Sequence, residues 1–122
     1  MNKKFYVTKE VNERLDIKIV IYIQTMIATM DVEIDYLQVF DISGNILTHS
    51  QEVPEYEREY RLSKKYEDER LFCIRTDEDK KSYWTLMFSS EYWICYLRLS
   101  SHLHYINEIK QIRRNYEYTS DI

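Results

Sequence analysis

The chain has 122 residues, 44% hydrophobic and 31% charged, enough apolar material for one compact domain and an argument against a two-domain enzyme with a closing cleft. Lys+Arg 17 against Asp+Glu 21 gives a net charge of -4, which excludes a broadly basic nucleic-acid footprint and leaves only local patches for such binding. One glycine and one proline exclude Gly-rich phosphate loops, Rossmann fingerprints, collagenous repeats and flexible linkers together.

At the start, Met1-Asn2-Lys3-Lys4 is basic, but Lys9, Glu10, Glu13 and Arg14 interrupt any apolar continuation, so no secretory signal is read there. The longest apolar run, Ile17 to Met30, contains Lys18 and falls short of the roughly 20 apolar residues that span a bilayer. No membrane association and a reduced cytoplasmic setting are the expectations, with Cys73 and Cys95 as buried free thiols rather than a bridge. No internal repeat or low-complexity tract divides the chain, so residues 1–122 read as one domain.

Phe5-Tyr6-Val7-Thr8 opens as a short strand, and Thr8 or Asp16 is suited to cap a following helix. From Asp16, the residues Ile19, Ile23, Met26, Ile27 and Met30 recur at three- and four-residue steps, predicting a helix of about 15 residues. Val20 and Ile21 widen its apolar stripe, which suggests a helix clasped between the sheet and a second element. After Asp31 the period becomes two: Ile34, Tyr36, Gln38, Phe40 and Ile42 alternate with Asp35, Leu37, Val39 and Asp41. Ser43-Gly44-Asn45 supplies the one glycine where a tight hairpin turn needs a positive φ, with a returning strand from Ile46 to Val53 ending before Pro54. Tyr56 to Leu62 reads as a third strand, with Tyr56, Arg58 and Tyr60 on one face and Glu55, Glu57 and Glu59 on the other.

Leu71–Thr76 and Tyr83–Phe88 flank the charged tip Asp77-Glu78-Asp79-Lys80-Lys81 of a second hairpin. Ser89-Ser90 offers a further cap. Leu99, Leu103, Ile106, Ile109, Ile112 and Tyr116 then step by three or four, predicting a long helix from about Ser101, while Tyr92–Leu99 suits either strand or helix. The expected fold class is therefore α+β, an antiparallel sheet of four to five strands packed by an N-terminal helix and a long C-terminal helix.

His49, His102 and His104 are the only histidines, and no third ligand stands at metal-site spacing, so neither a metal nor another cofactor is expected. Cys73, between Phe72 and Ile74, reads as a core thiol rather than a nucleophile. Among so many acids none is marked as catalytic, because a catalytic pair is defined by environments that separate two pKa values. Their distribution is more informative. Residues 31–70 carry eleven acids against five bases, a net of -6, more negative than the whole chain. Extended backbone would space Glu55, Glu57 and Glu59 about 6.6 to 6.8 Å apart, a row able to imitate a nucleic-acid backbone before a basic groove. Twelve tyrosines add rigid side chains favoured at protein interfaces.

Three stretches, Tyr6-Val7-Thr8-Lys9-Glu10-Val11-Asn12, Asp35-Tyr36-Leu37-Gln38-Val39-Phe40 and Gln51-Glu52-Val53-Pro54-Glu55-Tyr56, carry a resemblance. The chain resembles the small Firmicute domain-of-unknown-function family 960, clearly over the first half and faintly through Leu71 to Tyr92. The resemblance implies an α+β core over residues 1–92 and a departure at 93–122, a C-terminal extension that such a family lacks. It brings no catalytic residue. It implies a setting on the phages and plasmids of staphylococci and enterococci, where small acidic proteins act against host defence, inhibitors of a CRISPR nuclease such as Cas9 among them.

The resulting expectation is a non-catalytic inhibitor that docks Glu55, Tyr56, Glu57, Glu59 and Tyr60 on a basic, nucleic-acid-handling host protein. An alternative is a nucleic-acid-binding accessory protein with Lys110, Arg113 and Arg114 on phosphates and Tyr105 or Tyr116 stacking on bases. A third is a small nuclease built on His102 or His104, and a homodimer through the C-terminal helix is compatible with each.

Overall fold

The structure, a computed structural model, describes residues 4–92 and the strand at 117–119. In chain order it comprises β1 (Lys4–Val7), α1 (Lys9–Arg14), α2 (Ile17–Ala28), β2 (Leu37–Gln51), β3 (Tyr56–Glu78), β4 (Lys81–Phe88) and β5 (Glu117–Thr119). The strands form one sheet in the order β2-β3-β4-β1-β5. Residues 89–92 begin a further helical turn. Among the described residues no helix is long and apolar enough to cross a membrane.

The expected fold class is corrected in three respects. The sheet is mixed, because β1 runs parallel to β4 while every other pairing is antiparallel. The N-terminal helical region is two helices, each with its own cap. Thr8 Oγ1 accepts the Val11 N–H at the start of α1, and Asp16 Oδ1 accepts the Lys18 N–H at the start of α2, with Leu15 extended between them. No long C-terminal helix is present among the described residues: the stretch predicted helical from Ser101 lies outside them up to 116, and 117–119 is a strand antiparallel to β1. Helical spacing of apolar residues there could not reveal a strand that exists by pairing with residues over a hundred positions away.

The long β2–β3 ribbon departs from the sequence reading in a more instructive way. Ser43-Gly44-Asn45 is not a hairpin turn; β2 continues through it, and the chain turns at 52–55 instead. Gly44 has φ +62, and the ladder shifts register on either side of it. Ile42 and Ile46 are four residues apart on β2, whereas their partners Glu69 and Arg61 are eight apart on β3. The extra residues lengthen β3 along the outside of a bend. Both strands bend together, so β2 folds back on itself without its two arms zipping into a backbone ladder.

Folding back carries the distal arm over α2. One core cluster joins Ile19, Val20, Ile23, Met26 and Ile27 of α2 with Phe40, Leu47, Leu62, Leu71 and Leu86 of the sheet. The stripe read from three- and four-residue spacing is thus the buried face, while Ile17, Ile21 and Tyr22 lie exposed on the opposite side. A second cluster, Tyr6, Ile74, Tyr83 and Met87, occupies the other face of the sheet. Thr8 ties two helix starts together: its hydroxyl donates to Glu91 at 2.8 Å, and Glu91 accepts the Phe88 N–H at 2.8 Å. Burial is the largest influence on the Glu91 carboxyl and raises its pKa, opposed by those two hydrogen bonds.

A Cβ at Gly44 would meet nothing within 4 Å, so substitution there tests backbone conformation alone. Gly44→Ala is expected to destabilise by about 1 kcal/mol and Gly44→Asn by markedly less, because asparagine tolerates the left-handed region. Urea denaturation checks this, and equal stability of all three proteins would show that the positive φ does not matter.

Candidate functional site

The two-residue period that builds β3 also decides which of its side chains meet a partner. Tyr56 and Tyr60 share the inner face: Tyr56 is buried, edge-on to His49 with ring centroids 5.3 Å apart, and Tyr60 packs against the main core. Glu55, Glu57 and Glu59 are exposed on the opposite side, Glu57 across from Ser50 and Glu59 across from Thr48. The expected docking face of mixed acids and tyrosines is therefore not assembled. Alternation places the two sets back to back, and the phenol rings are spent on the core.

The bend instead gathers acids that are distant in sequence. Gln51 Nε2 donates to the Glu33 carbonyl at 2.9 Å, the Val53 N–H donates to the Asp35 carboxylate at 3.3 Å, and Arg58 stands 3.9 Å from Asp31. Segment 31–35 thus lies against the 52–55 turn. Asp31, Glu33, Asp35, Glu52, Glu55, Glu57 and Glu59 surround one hairpin tip, against Arg58 within it and Arg61 at its base. Of the other cations of this region, Lys64 pairs with Asp16 at 3.7 Å and Arg70 with Asp41 at 2.7 Å. Among the described residues no ion pair engages Glu33, Glu52, Glu55, Glu57 or Glu59. Within this acidic surface Tyr36 is 55% and Val53 70% exposed, two apolar contact points that the sequence reading did not single out. Their signal was positional: one stands at the entry to β2, the other just before Pro54 in the turn.

A buried polar network holds the tip in place. Phe40 and His49 lie four residues on either side of the Gly44–Asn45 bond, yet their rings stack with centroids 4.3 Å apart. Along a straight strand they would be about 30 Å apart. Gln38 Nε2 donates to the Asp35 carbonyl at 2.8 Å and to Gln51 Oε1 at 2.7 Å, which leaves Gln38 Oε1 as the acceptor facing His49 Nε2 at 2.6 Å. The neutral imidazole must then carry its proton on Nε2. His49 Nδ1 is buried with no hydrogen-bond partner, and burial lowers the pKa to about 4. His49 is accordingly a core residue of β2.

A groove of about 280 Å³ opens between the two arms of β2, lined by Asp35, Tyr36, Leu37 and Val39 on one side and Ser50, Gln51 and Glu52 on the other. Cys73 is fully buried, and burial raises its thiol pKa well above the ordinary value, which keeps it unreactive. No His/Cys/Asp/Glu group suited to hold a metal ion occurs among the described residues. Tyr105, Lys110, Arg113, Arg114 and Tyr116, together with His102, His104 and Cys95, lie outside the described residues.

Because the fold holds His49 neutral, its contribution to stability is complete above the unfolded value of 6.5 and declines as pH falls toward about 4. The ceiling of that loss is about 3 kcal/mol. His49→Phe should cost about 1–3 kcal/mol at pH 7, by leaving Gln38 Oε1 unsatisfied, and should flatten the decline below pH 6.5. Urea midpoints from pH 4 to 8 measure both, and parallel pH profiles for the two proteins would exclude His49 as the titrating group.

Comparison with protein families, with curated proteins and with solved structures found no match. No relative therefore lends a role to any residue here, and a functional reading rests on the charge and geometry of the hairpin tip.

Proposed function

We propose that this chain is a non-catalytic binding protein whose acidic hairpin tip docks on a basic, nucleic-acid-handling protein and occupies its nucleic-acid groove. The observation that carries this reading is the gathering of seven carboxylates around one tip by the bend in β2, with six of them outside any ion pair among the described residues. Carboxylates spaced along an extended ribbon present negative charge at intervals comparable to a phosphate backbone, and the buried network fixes them in place before contact. Such a field speeds encounter with a cationic groove and repels acidic surfaces. Tyr36 and Val53 add apolar contact within the charged rim, the arrangement that turns steering into residence. A host defence effector that grips DNA or RNA is the partner class that the chemistry fits, and inhibition follows from competition for the groove.

The carboxylates at 55, 57 and 59 are exposed and in no ion pair among the described residues, so Glu55→Lys/Glu57→Lys/Glu59→Lys should fold with near-native stability. Its affinity for a basic nucleic-acid-binding partner, read by displacement of labelled DNA or RNA from that partner, should fall at least roughly tenfold at low salt. The native affinity should decline steadily with rising salt. Undiminished displacement by the triple variant would remove the tip from the interaction.

A further inference from the structure

We infer that the unpaired edge of β2 at Leu37 and Val39 takes an extended, basic peptide segment of the partner as an added strand. The groove between the arms of β2 would receive that segment's side chains. The sign of the partner's charge rests on the acidic-tip reading above; the mode of attachment rests on separate observations.

The first is the phase of the ladder. The Arg75 N–H donates to the Tyr36 carbonyl at 2.8 Å, and Leu37 stands opposite Ile74, so residues 36 and 75 form a hydrogen-bonded pair. Antiparallel strands alternate bonded and non-bonded pairs. Leu37, opposite Ile74, and Val39, opposite Phe72, are thus non-bonded positions whose N–H and C=O groups point away from β3. β2 ends the sheet order, and among the described residues no strand pairs with that side.

The second is what guards this edge. Sheet edges are commonly blunted by lysine, proline or a bulge. Leu37-Gln38-Val39-Phe40-Asp41-Ile42 has neither lysine nor proline, and the register shift begins only after Ile42. Among the described residues the guard is negative charge on the groove, Asp35 and Glu52, since Asp41 in the strand is paired with Arg70. That guard deters a second copy of the same acidic chain and admits a cationic strand. The third observation is the groove itself, which runs beside the same two residues with exposed Tyr36 at one end. An added strand would direct one alternate set of its side chains toward Leu37 and Val39, leaving its basic residues to meet Glu33 and Glu52. Main-chain hydrogen bonds supply affinity in this mode, and side-chain pockets supply preference.

The test uses the full chain and a capped, fluorescent peptide of alternating valine and lysine, beside the same peptide N-methylated at every second residue. Methylation removes backbone donors and keeps the charge. The unmethylated peptide should bind at least roughly tenfold more tightly, and it should slow hydrogen exchange at the Leu37 and Val39 amides. Val39→Pro should abolish that difference while leaving charge-driven binding of the methylated peptide, since the Val39 N–H faces away from β3 and proline removes no ladder bond there. Equal binding of the two peptides to the native chain, no binding of either, or unchanged exchange at Leu37 and Val39 under saturating peptide would each overturn strand addition. If the triple glutamate reversal weakens both peptides and methylation changes nothing, the acidic tip stands and strand addition falls. If methylation-sensitive binding survives the reversal undiminished, strand addition stands and the acidic-tip reading falls.

Discussion

The fold depends on a side-chain closure inside a single strand. β2 reverses at Gly44, and its two arms are joined by Phe40 stacked on His49 and by the amides of Gln38 and Gln51, with no backbone ladder between them. Such a closure is demanding. Each buried amide must find partners for its donors and acceptors, because an unsatisfied one costs about 1–3 kcal/mol. Gln51 meets this by bonding the Glu33 and Pro54 carbonyls, the Asp35 N–H and the Gln38 amide. One side chain thereby does for segment 33–35 what a neighbouring strand would do.

The same closure governs electrostatics. A straight β2–β3 hairpin would leave its turn far from segment 31–35, and the acids of the two would act separately beyond the screening length of about 8 Å. Folding the ribbon over α2 brings them onto one tip, while Lys64 and Arg70 of the lower ribbon pair locally with Asp16 and Asp41. Charge is separated because the bend divides the ribbon, and no individual pairing is strong enough to do it: exposed ion pairs of this kind contribute about 1 kcal/mol or less each.

Local signals in the sequence carry the helix caps and the buried helix face, whereas the long-range pairings leave no local trace. Thr8 and Asp16, alternative caps for a single helix in the sequence, each cap one of two; the spacing from Ile19 to Ile27 marks the buried face of α2, and Asp79-Lys80 turns the second hairpin where its charges suggest. Gly44 has the positive φ that a tight hairpin turn would need, but the hairpin turn expected at Ser43-Gly44-Asn45 is a bulge within β2, since a glycine at positive φ serves equally in either. Only the continuous pairing of β3 past it, with four surplus residues, separates the two, and surplus residues are invisible until the register is known. Tyr56 and Tyr60 show the same limit: alternation placed them opposite the glutamates, yet which face was inner depended on α2 lying beneath the ribbon. The parallel pairing of β1 with β4 depends on contacts between residues about eighty positions apart, which no local pattern encodes.

A polar closure also has a consequence for binding that an apolar one would not. Leucines in place of Gln38 and Gln51 would bury comparable surface, but they would fix neither the register of the two arms nor the distance between them, since apolar contact is non-directional. The amide pair and the His49 contact set both, at hydrogen-bond lengths of 2.6 to 2.7 Å. The arms are therefore held together on the inner face and kept apart on the outer one, where the Leu37 and Val39 backbone faces the groove. A backbone ladder between the arms would have consumed that edge. By closing the reversal through side chains, the chain keeps a strand edge unpaired among the described residues, a groove and a cluster of carboxylates fixed in one place before any contact, the preorganisation that the proposed docking would draw on.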